Sequence, residues 1–285
     1  MRHSDYIGRF APSPSGPLHM GSLVTALGSY LQARINNGKW LLRIDDIDPP
    51  RIMSGAIDSI QTTLKAHALV WDDDVVFQSQ NSDSYDRILH ELQQQNLLYR
   101  CECTRAQIKS RGHFYQGTCK DKSNVEPPYS LRIKNQFQID HIEDIRLGVV
   151  AVDSNETNED FIVKRKDGLY AYHLASVVDD INMGVTEIVR GEDLISATAC
   201  QWALFKTLKS TPPLCLHLPL VTFADGRKFS KQNHAPALDL HQPEANLIAA
   251  LGHLGFIVPN AMFHSDKHSI LNWATQAWAD AFSNS

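Results

Sequence analysis

Apolar and polar residues in the first part of the chain follow the order strand, loop, helix, strand. Residues 6–10 form a short apolar run, and residues 18–35 carry apolar side chains at helical spacing. Residues 40–44 form a second apolar run. This order predicts a βαβ unit with a parallel sheet. Ligands of such sheets bind at the carboxyl ends of the strands, so residues 9–22 and 43–48 are the first candidates for chemistry.

The rest of the chain continues this α/β pattern around a stretch of different character. Helix or strand patterns are predicted at residues 54–66, 84–98, 170–180, 185–190, 196–208 and 243–254. Residues 99–160 instead hold cysteines, glycines, a Pro-Pro pair and short β-like runs, which indicate an insertion. We therefore expect an α/β parallel-sheet domain of residues 1–98 and 161–231, an insertion of residues 99–160, and a short helical C-terminal segment of residues 232–285.

The composition of the 285-residue chain is that of an ordinary globular protein, with 43% apolar and 21% charged residues. Its net charge of −5 argues against attraction of the whole molecule to nucleic acid or to an anionic membrane, so any such contact must be local. No apolar run approaches the roughly 18 residues of a membrane-spanning helix, and residues 1–5 lack the pattern of a secretory signal. We therefore expect a cytoplasmic protein that acts away from membranes.

Three of the five cysteines lie close together in the predicted insertion. Cys101, Cys103 and Cys119 suit a reduced compartment and a metal better than a disulfide framework. A structural zinc site needs a fourth ligand, for which His113 and Tyr115 are the candidates. Imidazole is the commoner ligand of the two. The remaining cysteines, which we expect to be core thiols, are Cys200 and Cys215.

The densest chemical signal is the loop between the first strand and the first helix. It reads RFAPSPSGPLHMGS from residue 9 to residue 22, so His19 stands where the helix begins. The N–H groups at a helix start bind phosphate, Gly21 lets a flat ring approach the backbone, and His19 can donate a hydrogen bond to a developing phosphate charge. The alternative is that the loop only shapes a turn and that His19 is a surface cap.

A second candidate element is a basic run much later in the chain. Residues 225–231 read DGRKFSK, with Lys228 and Lys231 on either side of a serine. Such a run is usually a solvated turn. Two positive charges there can also follow a leaving pyrophosphate, so the run and the helix start at His19 together supply both halves of a nucleotidyl-transfer site.

These two elements resemble the two signatures of class I aminoacyl-tRNA synthetases. HMGS at residues 19–22 is similar to the first signature, and KFSKQ at residues 228–232 is similar to the second. Four further segments resemble the glutamyl branch of the family: RFAPSP at 9–14, RIDDID at 43–48, YHLASVVDD at 172–180 and VRGEDL at 189–194. The resemblance implies a Rossmann-type catalytic domain with an insertion that, in the family, faces the tRNA acceptor stem.

The resemblance ends where a glutamyl-tRNA synthetase continues into an anticodon-binding domain. A glutamyl catalytic body with a Cys-x-Cys insertion and no anticodon module resembles the subfamily that activates L-glutamate with ATP and attaches it to queuosine in the anticodon loop of tRNA(Asp). The implied partners are L-glutamate, ATP and queuosine-bearing tRNA(Asp), and we expect a monomer. The alternatives are a truncated synthetase that charges the 3′ end of a tRNA, a small-molecule nucleotidyltransferase, and a non-catalytic RNA-binding or zinc-bearing module.

The resemblance also implies roles in binding glutamate. Arg9 and Arg190 are expected to bind its carboxylates, because arginine pairs with carboxylates through two parallel hydrogen bonds. Asp45 is expected to bind the ammonium group, with a hydroxyl contact from Tyr172. The chain departs from the glutamyl pattern here, since that pattern has Glu at the position of Asp45. The segment expected to wrap around the amino acid consists of Arg9, Phe10, Ala11, Pro12 and Ser13.

For the reaction with ATP and Mg²⁺, the resemblance makes His19, Lys228 and Lys231 the expected catalytic residues. The expected ATP-binding residues are His19, Gly21, Ser22 and Lys231. In the family pattern a tyrosine precedes the last cysteine by four residues, so the implied ligands of one structural Zn²⁺ per chain are Cys101, Cys103, Tyr115 and Cys119.

Overall fold

The computed structural model describes residues 6–112, 114–222 and 235–282. Its strands are β1 (Ile7–Phe10), β2 (Lys39–Ile44), β3 (Val76–Phe77), β4 (Leu98–Cys101), β5 (Ser130–Ile133), β6 (His141–Asp144), β7 (Gly148–Ala151), β8 (Ile162–Lys164), β9 (Glu187–Gly191) and β10 (Leu214–Leu218). Its α-helices are α1 (Met20–Ile35), α2 (Ala56–Ala66), α3 (Ser82–Gln94), α4 (Arg105–Ser110), α5 (Ser154–Thr157), α6 (Tyr172–Asn182), α7 (Ile195–Thr207), α8 (Pro243–His253) and α9 (Lys267–Phe282).

A parallel sheet forms the centre of the molecule. Strand β2 pairs in parallel with β1 and β3, and β10 pairs in parallel with β9 and β6. The two groups meet where the backbone N–H of Thr186 donates to the carbonyl oxygen of Ile7 at 2.9 Å, just before β9 begins. The resulting order is β3-β2-β1-β9-β10-β6, with β7 antiparallel at the edge. The predicted α/β fold with a parallel sheet is confirmed, and the carboxyl ends of β1, β2, β9 and β10 meet at one edge.

Helix α1 crosses this sheet and has one face buried in the main core. Leu23, Leu27 and Leu31 repeat at a spacing of four residues, and all three are fully buried. Gly28 lies against the sheet, where a Cβ atom would stand 2.6 Å from Leu218 Cδ1. The prediction started this helix at residue 18, whereas the structure starts it at Met20 because His19 is its N-cap.

The C-terminal part of the described chain packs on the outer side of α1. Sequence analysis predicted one helix at residues 243–254, and α8 matches it. Helix α9 was missed, although Ile270, Ala274 and Trp278 repeat every four residues and are buried against the same core. The indole N–H of Trp278 donates to Gln32 Oε1 at 2.7 Å, which fixes α9 to α1.

The region predicted as an insertion, together with β8 just beyond its predicted end, holds two small antiparallel units. Strands β4, β5 and β8 form one sheet, and β6 and β7 form a hairpin whose first strand joins the parallel sheet through β10. The helix predicted at residues 84–98 ends at Gln94, because Asn96 adopts a left-handed conformation (φ 57°) and Leu98 begins β4. The division of the chain into domains stays a prediction.

Candidate active site

A cavity of about 390 Å³ opens where the parallel strands end. It is lined by every residue predicted to bind glutamate or ATP in the described part of the chain: Arg9, Phe10, Ala11, Pro12, Ser13, His19, Gly21, Ser22, Asp45, Tyr172 and Arg190. These residues come from segments far apart in sequence, and the parallel topology brings them to one edge of the sheet. Lys228 and Lys231, the other predicted catalytic residues, lie outside the described residues.

The start of α1 forms one wall of the cavity. His19 is the N-cap of the helix, and its Nδ1 accepts a hydrogen bond from the backbone N–H of Ser22 at 3.3 Å. Because Nδ1 acts as the acceptor, a neutral imidazole carries its hydrogen on Nε2. The geometry combines this Nε2 donor with the positive end of a 16-residue helix, which is a suitable environment for an anion such as phosphate.

A buried layer of ion pairs lies beneath the cavity. Arg9 donates to Asp180 from Nε at 2.9 Å and from Nη2 at 3.3 Å. Arg43 donates to Asp180 from Nη1 at 2.6 Å. Burial on its own would raise the pKa of Asp180, but the two guanidinium groups hold it below its ordinary value. Asp180 therefore stays ionised and fixes Arg9, whose Nη1 makes no hydrogen bond to any residue the structure describes.

Asp45 borders this layer and is already paired. Its two oxygens accept hydrogen bonds from Arg43, at 2.7 Å from Nε and 3.4 Å from Nη2. Burial raises the pKa of Asp45 despite the attraction of Arg43. A ligand ammonium at Asp45 would share the carboxylate with Arg43.

Arg190 lines the opposite wall and is positioned by a chain of buried hydrogen bonds. Its Nη2 donates to Thr198 Oγ1 at 2.7 Å, and its Nη1 lies 3.4 Å from the hydroxyl of Tyr172. Thr198 Oγ1 is also 2.8 Å from His217 Nε2, and His217 Nδ1 is 2.7 Å from Asp144 Oδ2. Arg190 Nε is buried without a partner in the described part of the molecule. A donor left in this state favours an anionic ligand beside it.

Part of this framework could be found from the sequence. Arg43 and Asp180 lie inside motifs that already resembled the glutamyl branch, although no role was assigned to either residue. Thr198, His217 and Asp144 were missed. His217 and Asp144 stand on β10 and β6, two short strands that the sequence pattern did not reveal. Thr198 lies in α7, where a buried threonine has no distinctive spacing.

The cysteine cluster lies apart from the cavity. The sulfur atoms of Cys101, Cys103 and Cys119 lie within 4.8 Å of one another, and those of Cys103 and Cys119 are 3.6 Å apart. Tetrahedral zinc with Zn–S bonds of about 2.3 Å places two sulfurs roughly 3.8 Å apart, so the three thiols fit such a site. The candidate fourth ligand Tyr115 is buried nearby, and its hydroxyl accepts a hydrogen bond from Cys119 N at 2.8 Å. The alternative ligand, His113, lies outside the described residues.

The guanidinium group of Arg132 packs against the aromatic ring of Tyr115. The guanidinium carbon of Arg132 lies 3.7 Å from the centre of the Tyr115 ring. Arg132 is itself buried and pairs with Glu159 at 2.9 Å. A cation in this place offsets the negative charge of a thiolate-rich site. The other two cysteines, Cys200 and Cys215, are buried as predicted.

Comparison with known proteins shows which family shares this fold. The sequence profile of the family described as "tRNA synthetases class I (E and Q), catalytic domain" matches residues 7–269. A solved glutamate tRNA ligase from Elizabethkingia meningosepticum superposes with a TM-score of 0.70 at 30% identity, over 80% of this chain and 52% of that one. These findings define a class I tRNA synthetase fold.

Relatives of similar length show which branch of this family the chain is similar to. The protein named Glutamyl-Q tRNA(Asp) synthetase from Idiomarina loihiensis is 46% identical over 96% of each chain. A protein of the same name from Shewanella oneidensis is 50% identical over 88% of this chain and 84% of its own. The chain therefore belongs to the class I tRNA synthetase family, among the glutamyl-Q tRNA(Asp) synthetases.

Proposed function

We propose that this protein activates L-glutamate with ATP and transfers it to the queuosine base in the anticodon loop of tRNA(Asp). The observation that carries the proposal is the single cavity in which Arg9 and Arg190 face the start of α1 at His19. Such a cavity can hold a dicarboxylate beside a phosphate. The names of the similar proteins supply the tRNA and the modified base.

In the proposed complex the two arginines bind the two carboxylates of glutamate. Arg190 offers its buried Nε, and Arg9 offers Nη1, since its Nε and Nη2 each donate to Asp180. Asp45 and the hydroxyl of Tyr172 face the ammonium group. Phe10 ends β1, and Ala11, Pro12 and Ser13 follow it. All four line the same cavity, so they exclude water around the amino acid.

In the first proposed step an oxygen of the glutamate α-carboxylate attacks the α-phosphorus of ATP. The bond from that phosphorus to the bridging oxygen breaks, and pyrophosphate leaves with the electron pair. Nε2 of His19 donates a hydrogen bond to the phosphate, and the backbone N–H groups at Gly21 and Ser22 lie at the same helix end. Lys228 and Lys231 are proposed to follow the pyrophosphate, and Mg²⁺ accompanies ATP as a charge partner.

In the second proposed step a hydroxyl of the queuosine cyclopentene ring attacks the carbonyl carbon of glutamyl-adenylate. The carbonyl-to-phosphate bond breaks, AMP leaves, and the hydroxyl proton passes to solvent or to AMP. The attack requires the modified base to enter the cavity beside the glutamate.

The zinc site is proposed to be structural. Cys101, Cys103, Cys119 and Tyr115 would hold one Zn²⁺, which would tie the end of β4 to the segment around residue 119. This segment belongs to the proposed insertion of residues 99–160, between the two parts of the catalytic domain.

No helix in the described ranges is long and apolar enough to cross a membrane.

The test is to incubate the protein with labelled glutamate, ATP and tRNA(Asp) that carries or lacks queuosine. Label is expected only on the tRNA with the modified base, and it should remain there after the 3′ end is removed. Label that is lost with the 3′ end would instead indicate a synthetase that charges the acceptor end. ATP–pyrophosphate exchange that needs no glutamate would indicate a small-molecule nucleotidyltransferase.

A further inference from the structure

A second concave site opens beside the active-site cavity. This side pocket, of about 100 Å³, has a lining that includes Asp48, Arg51, Gln78, Arg165, Tyr170 and Tyr172. Ser13, Ser15, Asp45 and Tyr172 line the active-site cavity as well. The lining of the side pocket does not include His19 or the start of α1. The pocket therefore adjoins the expected glutamate position from the side away from the expected phosphates.

Two polar atoms of the lining residues can still accept hydrogen bonds from a ligand. Gln78 is 1% exposed, and its Nε2 donates to Asp179 at 2.7 Å, so its Oε1 must face elsewhere. That Oε1 is buried and has no partner among the residues the structure describes. Asp48 accepts from Arg51 at 2.6 Å and faces Arg165 at 3.3 Å, both through Oδ2, so Oδ1 keeps its capacity to accept. The lining thus suits a ligand that brings O–H or N–H donors.

The remaining lining residues suit a nucleotide. Tyr170 and Tyr172 offer aromatic rings, on which an unpaired base can stack. Arg51 and Arg165 stand at the rim, with side chains 67% and 41% exposed, where they can meet phosphates. The volume is about a quarter of that of the active-site cavity, which suits one substituent of a base.

We propose that the side pocket binds the acceptor nucleotide, with the hydroxylated ring of its base facing Gln78 and Asp48. This inference rests on the proposed function, which requires a diol-bearing base to reach the activated glutamate. The cyclopentene ring of queuosine carries a vicinal diol and an amine, which match the acceptor atoms of the pocket. Tyr170 stacks on the base, and Arg51 and Arg165 bind the flanking phosphates.

The ribose of a terminal adenosine also carries a vicinal diol, so the experiment must separate the two sources. Labelled glutamyl-adenylate is formed on the protein and chased with a queuosine-bearing anticodon stem-loop of tRNA(Asp), or with an acceptor-stem minihelix that ends in CCA. The parent protein is expected to label only the anticodon stem-loop. Labelling of the minihelix alone would overturn the assignment of the pocket to queuosine.

The variants are Tyr170→Ala and Arg165→Ala, with Lys166→Ala as the matched control. Lys166 is the next residue of the same turn, has the same charge, and hydrogen-bonds to the Glu102 carbonyl away from the pocket. Both pocket variants are expected to slow transfer by about tenfold or more and to keep ATP–pyrophosphate exchange within about twofold. The control is expected to match the parent in both assays.

Two results would overturn the side pocket while leaving the proposed function intact. One is transfer at the parent rate in both variants. The other is exchange that falls in step with transfer, which would mean that the variants disturb activation or the fold. Tyr170→Phe keeps the ring but loses the hydroxyl bond to the Ser82 carbonyl, so it should keep transfer near the parent rate. A parent protein that labels no queuosine-bearing RNA would overturn the function and the pocket together.

Discussion

Removal of the Thr198 hydroxyl tests whether the glutamate pocket depends on the buried hydrogen bonds behind it. Thr198→Val keeps the shape of the side chain but leaves Arg190 Nη2 and His217 Nε2 without their partner. Thr198 is fully buried, so water cannot take the place of the hydroxyl. Arg190 is then expected to turn away from the carboxylate that it would bind.

The magnitude follows from the kind of bond that is lost. A hydrogen bond to a charged group contributes about 1.5–3 kcal/mol, and each 1.4 kcal/mol is about a factor of ten. We therefore expect the KM for glutamate to rise about 10- to 100-fold in ATP–pyrophosphate exchange, with the KM for ATP within about twofold of the parent. Thr198→Ser restores the hydroxyl and should recover most of the affinity.

Two outcomes would contradict the predicted role of the Thr198 hydroxyl. If Thr198→Val folds with the parent's thermal midpoint and its KM for glutamate is unchanged, the hydroxyl does not position Arg190. If the KM values for glutamate and ATP rise together, or if Thr198→Ser is as impaired as Thr198→Val, the effect is a general loss of structure.

Three further predictions concern activation, stability and metal binding. His19→Ala should slow exchange by about 100-fold with little change in glutamate binding measured by calorimetry; an unchanged rate would remove its role at the phosphate. Burial raises the pKa of Glu187 to about 7 from its ordinary 4.5, so the folded chain holds a proton that the unfolded chain releases, and stability falls as pH rises between these values. The free energy of unfolding of Glu187→Gln, measured by denaturation relative to the parent, should rise by about 3 kcal/mol between pH 4 and pH 8. The same pH dependence in both proteins would contradict this. Cys103→Ser should lower bound zinc from about one per chain, measured by mass spectrometry of the native protein, whereas Cys200→Ser should keep it; equal zinc in both would exclude the cluster.

Sequence reasoning identified the residues that line the cavity better than the buried residues that support them. Residues that line the cavity stand at the ends of strands or the starts of helices, beside loops rich in glycine, proline and charged residues, so their pattern is visible along the chain. His217 and Asp144 stand on strands of five and four residues, which are too short to show a period. Their pairing depends on tertiary contacts, which a sequence pattern does not reveal.

The C-terminal region shows the same difference. Helix α8 matches the helix predicted at residues 243–254, and Pro243 stands at its start, where proline is common. Helix α9 carries buried apolar residues at a spacing of four, but no proline marks its start, and it packs on α1 through Trp278. The predicted clustering of the three cysteines is confirmed, because the thiols lie close along the chain and the segment that contains α4 folds back between them.

The hairpin of β6 and β7 has a consequence for protein engineering. Its Asp144 accepts hydrogen bonds from both the backbone N–H and the ring of His217, and Arg146 donates to the carbonyl of the same residue. Deletion of residues 99–160 would remove these hydrogen bonds to β10. A minimal catalytic fragment should therefore retain residues 141–151, because without them the proposed glutamate pocket would lose part of its supporting hydrogen bonds.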